Sequence, residues 1–162
     1  DDMTKFGAIM TAFEKIQQEL TLIFPIHPRT RKNLAGSAWE PRLQGMKNLL
    51  LTEPYGYLDF LCLVSNSAFV MTDSGGIQEE TTILGIPCMT LRENTERPVT
   101  IAEGTNRLVS PVTAENILKH YREIKNNKQA AAGIPRYWDG KAAERIASII
   151  TGLNGSHKKR VL

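Results

Sequence analysis

The residues most able to do chemistry form one run, Thr72-Asp73-Ser74-Gly75-Gly76-Ile77-Gln78-Glu79-Glu80, directly after the apolar Ala68-Phe69-Val70-Met71. A β-prone run, then Asp-Ser-Gly-Gly, then good helix formers reads as strand, tight turn and helix. Such a turn aims free backbone N–H groups and the positive end of a helix dipole at whatever sits above it. In an α/β protein the usual occupant is a phosphate. Glycines let the backbone approach closely, and Ser74 adds a hydroxyl donor. An ordinary turn with Ser74 as N-cap has the same spacing, so spacing does not separate the two readings. Ser74 is a poor candidate nucleophile, because no Gly-x-Ser-x-Gly is present and the histidines form no supporting pattern.

Four other residue types matter. Glu79 and Glu80 fall in the first turn of the expected helix, where interaction with the dipole accounts for Glu79. If Glu80 touches a nucleotide, it accepts hydrogen bonds from ribose hydroxyls, since a carboxylate beside phosphate repels it. Neither is a convincing general acid or base. Arg97 precedes Pro98, which biases it to extended backbone at a helix entry. Its guanidinium can reach a phosphate from there, but spacing favours a surface ion pair with Glu93 or Glu96. Phe60, at helical spacing, reads first as core. His27 is either ligand-facing or simply a strand-end residue. Three scattered histidines and two distant cysteines make no metal site.

The elements that must hold these residues alternate. Phe6, Ile9, Met10, Phe13, Ile16 and Leu20 recur at helical spacing. Leu22 to Ile26, Leu49 to Thr52, Ala68 to Met71 and Cys88 to Leu91 are short apolar strands, with Leu108-Val109 a possible edge strand. Helices are expected from Thr30, as its cap, to about Gly36, and over Tyr57 to Ser65. Another runs from Ile77 to Leu84, closed by Gly85. Further helices follow Pro98 and cover Ala114 to Ile124 and Lys141 to Leu153, with a polar stretch from Asn126 to Asp139 between the last two. This pattern predicts an α/β, Rossmann-like sandwich with a mostly parallel sheet covered on both faces. Ligands bind such sheets beyond the strand carboxyl ends, where four polar loops lie. They are His27-Pro28-Arg29-Thr30, Glu53-Pro54-Tyr55-Gly56, Asp73-Ser74-Gly75-Gly76 and Arg92 to Arg97.

At 162 residues, 41% hydrophobic and 23% charged, the chain has the composition of an ordinary soluble domain and enough length for a real core. Its net charge of +3 gives no argument for nucleic acid, and the tail His157-Lys158-Lys159-Arg160 reads as a solvated terminus. Cys62 and Cys88 lie in apolar runs, as buried thiols of a reducing cytoplasm do. No signal peptide and no apolar run of transmembrane length is evident. Asp1-Asp2-Met3 leads straight into a helical pattern, as a piece of a longer protein would.

Taken together, the motifs resemble the carboxyl-terminal half of the non-hydrolysing UDP-N-acetylglucosamine 2-epimerases. They are His27-Pro28-Arg29-Thr30, Thr72 to Glu80, Leu84-Gly85-Ile86-Pro87, Asn94-Thr95-Glu96-Arg97-Pro98, Glu103 to Val109 and Asp139 to Ile146, in the family's order. The resemblance implies that residues 1–162 form one UDP-binding Rossmann-like domain of a two-domain, glycosyltransferase-B-like enzyme. That enzyme interconverts UDP-N-acetylglucosamine and UDP-N-acetylmannosamine by eliminating and re-adding UDP, with no cofactor. Ser74, Gly75 and Gly76 would hold the pyrophosphate, Glu80 the ribose and Phe60 the base, with Arg97 near the phosphates. His27 would match a cleft-edge histidine linked to an activating second UDP-sugar. The catalytic carboxylates belong to the amino-terminal domain, so no residue of this chain is assigned a catalytic role, and the chain alone should be inactive. The implied partners are that domain, UDP or its sugar, and a second copy in a homodimer; nucleic acid and membrane are not among them. Two departures from the pattern stand out: Ser110 where glycine is common, and Arg136-Tyr137-Trp138-Asp139 in place of Pro-Tyr-Gly-Asp. A UDP-sugar-dependent glycosyltransferase of the same architecture, or a UDP-binding module without chemistry, are the other readings.

Overall fold

Short apolar runs bounded by polar turns pair in parallel when helices return the chain to the same end, and the strands here do so. The computed structural model describes residues 3–126 and 133–157; Lys158-Lys159-Arg160 of the basic tail lie outside them. Among the described residues there are five strands: β1 (Leu22–Pro25), β2 (Leu49–Thr52), β3 (Val70–Thr72), β4 (Cys88–Thr90) and β5 (Asn106–Leu108). β1 pairs with β2, and β3, β4 and β5 pair in that order, every pairing parallel. The expected single sheet is therefore two hydrogen-bonded groups.

The helices are α1 (Met3–Ile16), α2 (Pro28–Leu34), α3 (Glu40–Gly45), α4 (Tyr57–Ser65), α5 (Gly75–Leu84), α6 (Pro98–Ala102), α7 (Ala114–Asn126) and α8 (Ala142–His157). α2 is capped by His27, not Thr30, because Pro28 supplies a helical φ at the first position. α5 closes at Gly85, whose φ of 71° is the left-handed cap that glycine adopts without steric cost.

Both groups of strands feed one core. Met10, Phe13 and Ile16 of α1, Leu22, Leu49, Met89, Val109, and Ile117 and Tyr121 of α7 form its centre. Edge-on rings of Phe13 and Phe24, 5.7 Å apart, tie α1 to β1. β4 is buried at all three positions, as the middle strand of its group should be. The β1–β2 pair does not meet the expectation of cover on both faces: Ile23 and Leu50 are 45% and 49% exposed.

The cysteines divide. Cys88 on β4 is buried, and burial pushes its thiol up to about 11. Cys62 is exposed, contrary to the expectation, because it points outward from α4. A thiol reagent near about pH 8 should therefore titrate Cys62 quickly and Cys88 only after unfolding. Two fast thiols in the native protein would show that β4 is accessible.

Candidate functional site

The glycine turn is built by its neighbours on either side. Thr72 ends β3, and its Oγ1 accepts a hydrogen bond from Ser74 N at 3.1 Å, which turns the chain out of the strand. Ser74 takes the N-cap position with φ −81° and ψ 131°, yet its side chain makes no capping bond. Gly75 and Gly76 form the first helical positions, and Ser74 and Gly76 are exposed. Ser74 therefore holds the N-cap position that an ordinary turn would give it, but its side chain does not do the capping. Its hydroxyl is free of a capping bond, and the first N–H groups of a ten-residue helix have no partner within the helix.

The helix starts two residues earlier than the sequence suggests, which moves Glu79 and Glu80 beyond its first turn. Dipole stabilisation therefore does not explain Glu79, because that effect fades within a turn. Glu79 instead holds Arg97: Oε1 lies 2.8 Å from Nε. The contact is an ion pair whose N–H does not align with the carboxylate as a hydrogen bond. The surface pairing expected for Arg97 is only partly met. Glu96 is a distant partner at 3.8 Å, and Glu93 is engaged elsewhere, with Ser110 Oγ at 2.8 Å and Lys5 at 3.3 Å. The Ser110 hydroxyl, then the Lys5 ammonium, hold the Glu93 carboxyl below the ordinary range.

A chain of hydrogen bonds joins the glycine turn to the backbone of Arg97. Gln78 is fully buried; its Nε2 donates to the Ser74 carbonyl at 3.2 Å, and its Oε1 accepts from Thr95 Oγ1 at 2.6 Å. Thr95 Oγ1 accepts in turn from Arg97 N at 3.0 Å. Sequence reasoning missed Gln78 and Thr95. The available signal was a polar residue on the buried face of α5, in helical register with Thr81 and Thr82.

Glu80 is half-buried and lines an open cleft of about 450 Å³ with Tyr57, Leu61, Glu79, Ile83, Leu84 and Trp138. Trp138 is carried there by a turn closed by Trp138 N to the Pro135 carbonyl at 3.0 Å. Tyr137 sits in that turn at φ 72°, a conformation that glycine takes more readily. The Arg136 and Arg145 guanidinia lie 4.7 and 5.1 Å from its ring and hold it there. Arg145 also bonds Asp139, and that pairing depresses the Asp139 carboxyl to about 2. A lowered carboxylate pKa means the contribution is present above the ordinary value near 3.8 and is lost as pH falls toward about 2.

Phe60 lies half-buried on α4 and outside the main core, so the expectation of a core aromatic is not met. Its neighbours Tyr57 and Leu61 line the cleft; Phe60 itself does not. His27 is exposed after β1, and its Nδ1 accepts from Arg29 N at 3.2 Å, which puts the neutral ring's proton on Nε2.

Known proteins resemble this chain in sequence and fold. The family model described as UDP-N-acetylglucosamine 2-epimerase matches residues 1–151. A UDP-N-acetylglucosamine 2-epimerase of Methanocaldococcus jannaschii is 44% identical over 140 residues, covering 86% of this chain and 37% of that protein. One of Methanococcus maripaludis is 38% identical over 160 residues, covering 94% and 41%. Among solved structures, the M. jannaschii UDP-GlcNAc 2-epimerase superposes with a TM-score of 0.80 at 39% identity, covering 93% of this chain and 42% of its own. The same enzyme in complex with UDP-GlcNAc and UDP gives a TM-score of 0.73 at 38% identity, covering 93% and 41%. The chain therefore spans about two fifths of the length of the relatives it matches.

Proposed function

The chain belongs to the UDP-N-acetylglucosamine 2-epimerase family, and on that premise we propose that it is the nucleotide-binding half of an enzyme interconverting UDP-GlcNAc and UDP-ManNAc. The observation that carries this reading is the open helix start at Ser74-Gly75-Gly76, tied through Gln78 and Thr95 to the backbone of Arg97.

Breaking the bond between the anomeric carbon and UDP leaves negative charge on the departing diphosphate. Free N–H groups, a helix dipole and a guanidinium fixed before reaction stabilise that charge as it develops. In this reading the amides of Gly75 and Gly76 and the Ser74 hydroxyl hold the diphosphate, and Arg97 leaves Glu79 to meet it. Glu80, beside the cleft, accepts from the ribose hydroxyls, and Phe60 lies against the base. His27 marks the edge of the interdomain cleft, where a second UDP-sugar would bind. The proton at carbon 2 must go to a base, and neither carboxylate of α5 is given that role: Glu80 accepts from the ribose, and Glu79 is the counter-ion that Arg97 leaves. That base is assigned to the other domain of the complete protein, which we take to work as a homodimer. Residues 1–162, the UDP-binding domain, are expected to be inactive alone.

The test is the complete protein with UDP-GlcNAc in heavy water, followed by NMR. UDP-ManNAc should form, with deuterium at carbon 2 of the product. No epimer and no exchange would overturn the reading, and UDP released only when an acceptor sugar is added would make the protein a glycosyltransferase.

A further inference from the structure

We propose that Gln78 is a positioning residue of the nucleotide site, which fixes the Ser74 turn and the Arg97 entry to each other through Thr95. The proposal rests on the site reading above and adds to it the device that holds the anion-binding groups in register. Arg97 lies on a segment nineteen positions beyond Gln78 in the chain, at the start of a five-residue helix. A helix that short does not hold an arginine in place unaided, and a side chain misplaced by an ångström loses most of its benefit to a transition state.

The geometry uses both ends of one buried amide. The Ser74 carbonyl can only accept, so the Nε2 end must face it at 3.2 Å. Oε1 then faces Thr95, whose single hydroxyl proton is spent on it at 2.6 Å, leaving a lone pair for Arg97 N at 3.0 Å. The order of donors admits one direction only. Glutamate at position 78 would keep the Thr95 bond but set an anionic oxygen against the Ser74 carbonyl; methionine would fill the volume and make neither bond. The Thr100 hydroxyl completes the hold on the same segment by donating to the Arg97 carbonyl at 2.7 Å. A purely structural amide would tie α5 to the sheet. That task is done by the Gln78 main-chain carbonyl, which accepts from Asn106 Nδ2 of β5 at 2.8 Å, and within α5 from Thr82 Oγ1 at 2.8 Å. These bonds survive any change of the side chain, so the variants should fold.

The experiment is a double-mutant cycle in the complete protein, with UDP affinity read by calorimetry and, for weak binders, by ligand-observed NMR. Gln78→Met and Thr95→Val, which removes the hydroxyl at constant shape, are each combined with Arg97→Ala. Each single variant should weaken UDP about 10-fold when Arg97 is present and less than about 2-fold when it is alanine, because a positioning residue has nothing left to position. Thr95→Ser, which keeps the hydroxyl, should bind as wild type. Equal weakening in both backgrounds, or no weakening in either, overturns the proposal. If Arg97→Ala alone binds UDP normally, or the wild-type protein binds none, the site reading itself fails and this inference falls with it.

Discussion

Gly76→Ala should leave the melting temperature of the complete protein unchanged and weaken UDP binding by roughly 30- to 150-fold. The two halves of that expectation come from different facts. A methyl group built on Gly76 meets only the Ser74 hydroxyl, at 4.0 Å, and one built on Gly75 meets nothing within 4 Å. Neither glycine has the positive φ that would strain an alanine. Alanine is also the better helix former, so stability should hold or rise slightly. The glycines are therefore not needed for the fold as such. They are needed if something must approach the backbone closely where the methyl would stand. Losing one hydrogen bond to a charged phosphate costs about 2–3 kcal/mol, which is the stated loss of affinity.

Calorimetric titration with UDP beside a thermal melt decides the matter. Unchanged binding and unchanged melting would mean that the turn is only a turn. Loss of both would mean that the substitution distorts α5. Gly75→Ala is the companion variant, with the same expected pattern. This comparison separates the two readings of Asp73-Ser74-Gly75-Gly76 that spacing leaves level.

Local pattern carries some elements of this fold and fails at identifiable places. β2 and α4 are legible to the residue, because four leucine-rich positions bounded by polar ones, and an apolar stretch after Gly56, have no competing reading. The start of α5 is misplaced because glycine is a poor helix former, so Gly75 and Gly76 read as turn although they occupy the first helical positions. That two-residue error changes the physics of Glu79 from dipole partner to counter-ion of Arg97. α3 is missed because six residues opening Glu40-Pro41 present fewer than two turns of periodicity. Leu50 reads as buried because a run of apolar residues does not say which face is covered.

The site is legible as a set of residue types, not as a set of contacts. Ser74, the two glycines and Arg97 are visible from chain order; which carboxylate holds Arg97 is not, since Glu79 is eighteen positions away and Glu96 is adjacent. Gln78 is the same kind of omission. A buried amide has no sequence signature until the segments at its two ends are known to meet.

The largest loss of stability should come from Gly104→Ala, at about 3 kcal/mol, with melting lowered by on the order of 5 °C. Gly104 has no positive φ, so conformational freedom is not why glycine stands there. The reason is space. A Cβ at this position would lie 2.6 Å from the Thr100 carbonyl oxygen and 2.7 Å from both Cγ2 and Oγ1 of Thr82. Thr82 is buried and committed: its Oγ1 donates to the Gln78 carbonyl at 2.8 Å and accepts from Asn106 Nδ2 at 3.0 Å. Moving it aside breaks its bond with Asn106, one of the two by which that side chain ties β5 to α5, and α5 is the helix that presents the glycine turn. The Thr100 carbonyl belongs to α6 and is backbone, so it cannot rotate away. The side-chain clash is separable from the backbone clash. Thr82→Ala removes both Thr82 atoms, so the double variant should lose less than the sum of the two single losses, while the Thr100 contact keeps it below Thr82→Ala alone. A Gly104→Ala protein that melts within about 2 °C of wild type, or a double variant whose losses simply add, would show that the packing of Gly104 against Thr82 and Thr100 is looser than these distances require.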